Sequence, residues 1–426
     1  MSNSKAKKKE RKVFRGTPIG EELSALRALS RIIESTPLYA TRGNHIVELH
    51  VHSPEPIDLD IISKFRYLRY LDLSGCTKLF SFGAISDLEN LEILILSKTN
   101  MSDGDLEIIV GLDNLQVLDI SWTKISDIGP LSDVVNLLEL YLNNTRIRSI
   151  EPVVYMWKLR KLNISETDVS NIDPLEENTT LKELYIRKTK VSDLSPISNN
   201  KLRVLDIGDT PIKNIKFIES ARDMRILYAG NTKILDFSVL GTLTKLERLY
   251  LNSTKFSDLD IISKCKNLKI LNVANTEVTD LRPIIYLPHL IELDISSTMI
   301  TDIRPITRLE NIEILRIDTT CIPDLRPLSL LSSLRVLSLE NVGEVDFSIF
   351  KTLEKLEELN CNKNYVKNLD GIGELRMLKV LNLSNTNVED LSFITSMVGI
   401  QELYMFNTPV KDISPIAKLR ELRVLM

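Results

Sequence analysis

The chain has 426 residues, of which 43% are hydrophobic and 26% charged, an ordinary balance for a folded domain. Its net charge of −4 is uneven, because residues 1–15 carry seven basic side chains and one acid, which sum to +6 and leave −10 on the rest. An acidic body excludes a typical duplex-binding domain, whose basic residues form a stripe on the fold itself.

Residues 1–16 form a basic segment in which the charges concentrate between Lys5 and Lys12. Blocks of like charge are usually disordered, so we predict a disordered tail. The same residues are also candidates for a nuclear localisation signal or for a contact with RNA or DNA. No apolar run follows them, so no secretory signal peptide is predicted.

Residues 17–44 predict an N-terminal capping region built around one amphipathic helix. Thr17 is the expected N-cap, and Pro18 is the expected first helical residue. The apolar stripe of this helix comprises Ile19, Leu23, Leu26, Leu29, Ile32 and Ile33. We expect the stripe to cover the open edge of the first strand, residues 46–51, because an uncovered edge invites self-association.

From residue 45 to residue 426 the chain repeats a Leu-x-x-Leu-x-Leu pattern about every 22 residues. Seventeen full copies begin at Ile46, Leu68, Leu91, Leu115, Leu137, Leu159, Leu181, Leu202, Met224, Leu246, Leu268, Leu290, Ile312, Leu334, Leu356, Leu378 and Ile400, and a partial copy begins at Leu422. In the copy 115–136, Leu118 and Ile120 alternate with polar residues, which is typical of a strand with one buried face. Pro130 then ends extended structure and favours a short helical or 3₁₀ turn.

One copy is too small to bury its apolar edge, so the copies must stack on one another. We therefore predict an α/β solenoid curved like a horseshoe, with a parallel β-sheet on the concave face and short helical, 3₁₀ and irregular segments on the convex face. Counting the first leucine as position one, position nine is Thr in thirteen copies. We interpret these hydroxyls as an internal ladder that satisfies buried backbone groups, and not as an exposed threonine array.

This pattern resembles the 22-residue class of leucine-rich repeats found in the nuclear regulatory subunit of protein phosphatase 1 and in the bacterial internalins. The run LDLSGCTKL at residues 71–79 is also similar to leucine-rich repeat proteins of trypanosomes. The resemblance covers residues 46–426 and implies a leucine-rich repeat fold with a protein partner, for which a phosphatase catalytic subunit is one candidate. Thr replaces the Asn that is usual at position nine.

The C-terminal end departs from the family in a second way, because no capping segment follows Leu422. Terminal repeats normally need a polar cap. We therefore expect either a truncated product or weak self-association through this edge, with faster amide exchange from about Ile400 onward.

Catalytic signatures are missing from the sequence, which has four histidines and no nucleophile elbow, phosphate-binding loop or zinc-protease motif. We predict that the chain is not an enzyme. The cysteines Cys76, Cys265, Cys321 and Cys361 lie far apart, which fits reduced thiols in the cytoplasm or nucleus. No apolar run approaches the roughly 18 residues of a transmembrane helix, so no membrane association is predicted.

One group of residues has the chemistry of a metal site. Glu48, His50 and His52 alternate along one predicted strand, and Asp72 holds the position equivalent to His50 on the next strand. Imidazoles and carboxylates are zinc ligands, but a wet polar face explains the same residues. We predict no tightly bound metal and no cofactor. The run Asp103-Gly104-Asp105 is a weaker candidate for a calcium loop.

Tyrosine recurs at position five, which faces solvent on the predicted concave sheet. The candidate partner-binding residues are Trp122, Glu139, Tyr141, Lys161, Glu183, Tyr185, Arg187, Asp206, Tyr228, Arg248, Tyr250, Tyr404 and Phe406. Aromatic residues and arginine are enriched in protein interfaces. We therefore predict a non-enzymatic scaffold or regulatory subunit that binds a protein on its concave face. The alternatives are a nuclear nucleic-acid-associated factor that uses the basic tail, and an internalin-like adhesin.

Overall fold

The computed structural model describes residues 16–426 of the chain. The predicted basic tail, apart from Gly16, lies outside the described residues. The chain divides into two compact units, the first ending at Lys201 and the second spanning Leu202–Met426. Within residues 16–426, no helix combines the length and the apolar character that crossing a membrane requires.

The first unit contains helix α1 (Gly20–Ile32) and ten strands among its described residues. The strands are β1 (Leu38–Arg42), β2 (His45–His50), β3 (Ile57–Asp58), β4 (Tyr70–Asp72), β5 (Leu79–Phe80), β6 (Ile93–Ile95), β7 (Val117–Asp119), β8 (Glu139–Tyr141), β9 (Lys161–Asn163) and β10 (Glu183–Tyr185). Its 3₁₀ helices are Leu59–Lys64, Phe82–Ile85, Asp103–Ile109, Gly129–Asp133, Glu151–Tyr155, Asp173–Leu175 and Ser195–Ile197. Strands β2, β4 and β6 to β10 pair in parallel, β1 is antiparallel to β2, and β3 pairs with β5.

The second unit repeats the same plan. Its strands are β11 (Val204–Asp206), β12 (Ile226–Tyr228), β13 (Arg248–Tyr250), β14 (Ile270–Asn272), β15 (Glu292–Asp294), β16 (Ile314–Arg316), β17 (Val336–Ser338), β18 (Glu344–Asp346), β19 (Glu358–Asn360), β20 (Tyr365–Asn368), β21 (Val380–Asn382), β22 (Glu402–Tyr404) and β23 (Val424–Leu425). Its 3₁₀ helices are Lys216–Ile218, Ser238–Thr242, Leu259–Ile262, Arg282–Tyr286, Arg304–Arg308, Arg326–Leu330, Phe347–Phe350, Ile372–Glu374, Ser392–Ser396 and Ser414–Lys418. All strands form one parallel ladder except β18 and β20, which pair with each other.

The register of each ladder keeps equal repeat positions side by side, as where Leu205 pairs with Leu227. In the seventeen full copies the residues at positions one and four are buried, so each copy adds one layer to the apolar core of its unit. The 3₁₀ helix Gly129–Asp133 carries Pro130 in its first turn, which confirms the predicted turn. The leucine-rich solenoid inferred from the 22-residue period is confirmed.

The threonines at position nine form the predicted internal ladder. Each hydroxyl donates to the carbonyl oxygen three residues earlier, over distances from 2.5 Å at Thr276 to 2.9 Å at Thr408. All of them are buried except Thr408, which is half-buried. The hydroxyls therefore satisfy turn carbonyls that water cannot reach.

A second ladder caps the 3₁₀ turns at position thirteen. In fourteen consecutive copies a side-chain oxygen there accepts a hydrogen bond from the N–H two residues later, as between Asp236 and Ser238 at 2.9 Å. The capping residues are Asp127, Ser149, Asn171, Asp193, Asn214, Asp236, Asp258, Asp280, Asp302, Asp324, Asp346, Asn368, Asp390 and Asp412. The recurring acids of the repeat are therefore structural caps.

The N-terminal cap differs from the prediction in two respects. The helix begins at Gly20 and not after Thr17, because Gly20 has a left-handed φ of 62° that breaks helical continuity with Pro18. Strand β1, which the sequence did not predict, pairs along the edge of β2, since a strand can pair with the free backbone groups of an edge. The predicted stripe residue Ile19 is consequently 56% exposed.

A buried carboxylate joins this cap to the first copy. Glu22 is 6% exposed, and its Oε2 accepts a hydrogen bond of 2.8 Å from the backbone N–H of Ile46. Its Oε1 lies 3.2 Å from His45 Nδ1. The helical period alone does not reveal this anchor, because a glutamate in the first turn of a helix is usually solvated.

Candidate binding surface on the strand faces

Position five of the repeat lies on the solvent side of each sheet, where one kind of side chain recurs because it stabilises the backbone. In eight copies it is Asp or Asn, whose side-chain oxygen accepts a hydrogen bond from the N–H at position seven. These residues are Asp72, Asp119, Asn163, Asp206, Asn272, Asp294, Asn360 and Asn382. This bond stabilises the turn that follows each strand.

Tyrosine replaces this cap in five copies. The phenol oxygen of a tyrosine extends far from its own backbone and cannot reach the N–H two residues later. The copies with Tyr141, Tyr185, Tyr228, Tyr250 and Tyr404 therefore give up a stabilising turn bond. The turn cap therefore does not explain tyrosine at these positions.

In the first unit, strands β8, β9 and β10 bring together five side chains that we call the Tyr-Lys cluster: Glu139, Tyr141, Lys161, Glu183 and Tyr185. The hydroxyl of Tyr141 donates to Glu139 at 2.6 Å, and that of Tyr185 donates to Glu183 at 3.0 Å. The Lys161 ammonium lies 5.3 Å and 5.4 Å from the centres of the two tyrosine rings and 3.0 Å from the Glu183 carboxylate. All five side chains are half-buried.

The charges of the Tyr-Lys cluster hold it in one arrangement. Burial and the adjacent Glu139 carboxylate raise the pKa of Tyr141 far above the usual value of a phenol, so its hydroxyl stays a donor. Lys161 makes cation–π contacts on both sides, each worth about 0.5–1 kcal/mol at exposed sites. Arg187 follows on the same face and is also half-buried. The result is a preorganised aromatic and charged surface.

In the second unit, Tyr228 and Tyr250 form a stacked pair. Their ring centres are 4.7 Å apart and their planes are inclined by 16°. Burial raises the pKa of Tyr228, and the neighbouring Arg248 partly offsets this effect. Beside the stack stands Gly230, where a Cβ atom would come within 2.5 Å of the Asn252 Oδ1. A larger residue at this position would require the Asn252 side chain to move.

Asp206 and Trp122, which the sequence also predicted as site residues, do not belong to the Tyr-Lys cluster or to the stacked tyrosine pair. Asp206 acts as a turn cap, since its Oδ1 accepts from the Gly208 N–H at 3.0 Å. Trp122 lies on the turn after β7 and is 53% exposed. Its backbone has a left-handed φ of 59°, and Lys98 Nζ lies 5.6 Å from its ring centre.

Tyr404 and Phe406 lie further along the second unit, apart from the Tyr228–Tyr250 pair. Tyr404 donates to Glu402 at 2.6 Å, and Phe406 is 71% exposed. Tyr404 borders a recess of about 290 Å³ in the strand face, which sequence reasoning missed. Its lining residues are Arg316, Val336, Leu337, Ser338, Glu358, Leu359, Asn360, Val380, Asn382 and Tyr404. Small polar residues at position five between Arg316 and Tyr404 are the sequence signal of this recess.

The histidine group predicted near the start of the repeat is assembled, but with three members. His50 Nδ1 and His52 Nε2 lie 3.5 Å and 3.8 Å from Asp72 Oδ2. Ligand atoms of these three residues all lie within 4.8 Å of one another, and Glu48 is not part of this group. Burial raises the pKa of Asp72, but hydrogen bonds from His50 and Ser74 outweigh burial, so the pKa lies below its ordinary value and the carboxylate is charged.

The candidate calcium loop has a structural role instead. The Asp105 carboxylate accepts from the Ser102 N–H at 2.9 Å, and Asp103 accepts from the Ser126 hydroxyl at 2.6 Å. Asp105 therefore caps its own 3₁₀ helix, and Asp103 links this copy to the next one.

Comparison with known proteins decides the family of the repeat. A family model described as leucine-rich repeats in two copies matches residues 244–286 and 376–425, and a model of Zer-1-like leucine-rich repeats matches residues 59–128. The chain is a leucine-rich repeat protein. No curated protein sequence matches it significantly.

Solved structures of other leucine-rich repeat proteins share its fold. A leucine-rich repeat protein of Leptospira interrogans has 22% identity and a TM-score of 0.71, over 84% of this chain and 95% of that one. An internalin of Listeria monocytogenes has 24% identity and a TM-score of 0.55, over 80% and 88% of the two chains.

A plant receptor ectodomain is also similar. The leucine-rich repeat ectodomain of a membrane receptor kinase from Arabidopsis thaliana, in complex with CASPARIAN STRIP INTEGRITY FACTOR 2, has 17% identity and a TM-score of 0.61, over 89% of this chain and 58% of that one. At these identities the likeness shows the fold alone, so the phosphatase resemblance stays a prediction.

Proposed function

We propose that this leucine-rich repeat protein is a non-enzymatic scaffold that binds a protein partner on its strand faces. The observation that carries the proposal is the exchange of turn-capping Asp or Asn for tyrosine at position five. Tyrosine cannot make this cap, and half-buried tyrosines beside Lys and Arg are what protein interfaces favour.

Each unit offers one such surface. The Tyr-Lys cluster presents two aromatic rings whose neighbouring charges are already paired, which lowers the cost of burying them against a partner. The Tyr228–Tyr250 pair presents stacked rings with Arg248 exposed beside them. Rings held in place before binding lose little side-chain entropy on association.

A regulatory role, including regulation of a phosphatase catalytic subunit, is the finer form of this proposal and rests on the sequence resemblance. A solved leucine-rich repeat ectodomain in complex with a named factor supports partner binding by this fold in general. The free thiols of all four cysteines support a cytoplasmic or nuclear location.

The experiment compares capture of partners by the full-length protein and two variants. Changing Tyr185, Tyr228 and Tyr250 together to Ala should abolish capture of specific partners. The matched control changes Tyr155 and Tyr286, exposed tyrosines in the 3₁₀ helices Glu151–Tyr155 and Arg282–Tyr286, and should leave capture unchanged. Equal capture by wild type and the triple variant would contradict the proposal.

The nucleic-acid alternative rests on Lys5–Lys12, which lie outside the described residues, and it stays a prediction. Neutralising phosphates with lysines makes binding fall steeply with salt. RNA binding by the full chain that is lost on removing residues 1–15 would favour it. The adhesin alternative has only the internalin likeness of fold in its support.

A further inference from the structure

The first two strands of the parallel ladder bring two histidines and an aspartate to one place on the solvent face. His50 ends β2, and His52 follows two residues later on the same side. Asp72 ends β4 and pairs directly with His50 in the strand register. The three residues lie outside both tyrosine surfaces, so the proposed partner binding does not explain why they come together.

The distances between these groups are close to those of a tetrahedral metal site. Zinc bonds of about 2.0–2.2 Å at tetrahedral angles place neighbouring ligand atoms roughly 3.3–3.6 Å apart. Asp72 Oδ2 lies 3.5 Å from His50 Nδ1 and 3.8 Å from His52 Nε2. The ligand atoms of the three residues all lie within 4.8 Å of one another, so small side-chain movements bring them to metal-binding separations.

The surroundings already orient two of the three groups. His52 Nδ1 lies 2.9 Å from the Ser74 carbonyl oxygen, which can only accept, so Nδ1 carries a proton and Nε2 is the ring nitrogen that faces Asp72. Asp72 Oδ1 accepts from the Ser74 N–H at 2.9 Å, which leaves Oδ2 for a ligand. A backbone carbonyl behind a ligating imidazole is the usual outer partner in zinc sites.

The third group is held by a ring contact. The His50 ring packs on Tyr70, with 4.7 Å between the ring centres. The side chains of Asp72, His50 and His52 are 13%, 29% and 54% exposed, so an ion can enter from solvent. Solvated polar residues on a sheet face would not need this set of orienting contacts.

We infer that His50, His52 and Asp72 bind one zinc ion, with water in the remaining position. Two imidazoles among three ligands favour Zn²⁺ over Mg²⁺ and Ca²⁺, which prefer oxygen ligands. Zinc binding requires the lone pair of His50 Nδ1, so in the bound state the imidazole proton is on Nε2 and any proton on Nδ1 is released to solvent. This inference reverses the expectation from sequence alone, and it is independent of the proposed partner binding.

The test is calorimetric titration of the full-length protein, purified without a polyhistidine tag, with zinc, magnesium and calcium chloride. We expect one zinc ion per chain and no binding of the other two ions. Changing both His50 and His52 to Ala should weaken zinc binding at least tenfold. Asp72→Asn should also weaken it, and this variant keeps the turn cap because Asn163 makes the same bond at the same repeat position.

Two control variants guard against other zinc ligands in the chain. His289→Ala removes an exposed histidine, and Cys321→Ser removes the exposed thiol. Both should bind zinc as the wild type does. Absence of zinc binding, unchanged binding after loss of His50 and His52, or loss of binding in the Cys321→Ser variant would each overturn the inference.

Discussion

At position eight the scaffold imposes a backbone conformation that some residues fit poorly. Sixteen copies have a left-handed φ there, fifteen of them with a residue other than glycine, and six of these use Asn, which tolerates it. Trp122 is the largest residue at this position, and its ring is mostly exposed. A bulky residue in this conformation is a departure from the scaffold, as tyrosine is at position five.

Replacing Trp122 with Asn should therefore stabilise the fold. Left-handed backbone costs ordinary residues about 1–2 kcal/mol, of which Asn recovers part. Loss of the Lys98 cation–π contact removes about 0.5–1 kcal/mol in the other direction. We expect a net gain of about 0.5 kcal/mol in the free energy of unfolding, measured by urea denaturation. A loss larger than about 1 kcal/mol would show that the ring stabilises the scaffold.

The four cysteines should differ sharply in reactivity. Cys321 is exposed, whereas Cys76, Cys265 and Cys361 are buried. Burial raises the pKa of the Cys265 thiol to about 11, which suppresses its reactive thiolate at neutral pH. Ellman's reagent should modify one thiol in the native protein and four after denaturation, and none in native Cys321→Ser. Rapid modification of two or more native thiols would contradict the buried placement.

At the scale of the repeat, the threonine ladder makes a testable contribution to stability. The Thr254 hydroxyl is buried and donates to the Leu251 carbonyl at 2.6 Å. Thr254→Val keeps the shape but leaves that carbonyl without its donor, which should cost about 1–3 kcal/mol. Thr254→Ser keeps the hydroxyl and should recover most of the loss. Equal stability of the Val variant and the wild type would show that the threonine hydroxyls do not stabilise the fold.

The position-thirteen caps predict an acid-sensitive fold. The Arg326 guanidinium and the Arg326 N–H hold the pKa of Asp324 at about 2, below its ordinary value of 3.8, and Asp280 and Asp302 are lowered in the same way by Arg282 and Arg304. Because the pKa of each aspartate is lower in the folded state than in the unfolded state, its charged carboxylate contributes its full stabilisation at pH values above the ordinary pKa. That contribution is lost as pH falls toward about 2.

The matched variant changes these three aspartates to Asn, which caps the same turn at Asn214 without titrating. Between about pH 4 and pH 2, the wild-type urea midpoint should fall more than that of the triple Asn variant. Circular dichroism at a series of pH values gives both curves. Parallel curves would mean that the caps do not couple folding to pH.

For the molecule as a whole, the period of the sequence predicted the core and the strand register, because every copy needs the same buried positions. The sequence shows that Asp, Asn or Ser recurs at position thirteen, but it does not show that these side chains accept hydrogen bonds from the backbone. The strand β1 was missed because its pairing with β2 depends on one non-repeated segment. The cluster around Lys161 could not be assembled from sequence, since cation–π contacts depend on side-chain rotamers.

The central claim is that tyrosines on the strand faces bind a protein partner. Its most direct test is the dissociation constant of a purified captured partner for the wild type, for Tyr228→Ala with Tyr250→Ala, and for the control Tyr155→Ala with Tyr286→Ala. Interface hot spots cost at least about 2 kcal/mol on truncation, so the first pair should weaken binding roughly 30-fold or more. The control should stay within about twofold of wild type. A second double variant changes Tyr141 and Tyr185 to Ala. If both double variants bound the partner with wild-type affinity, the claim would be contradicted.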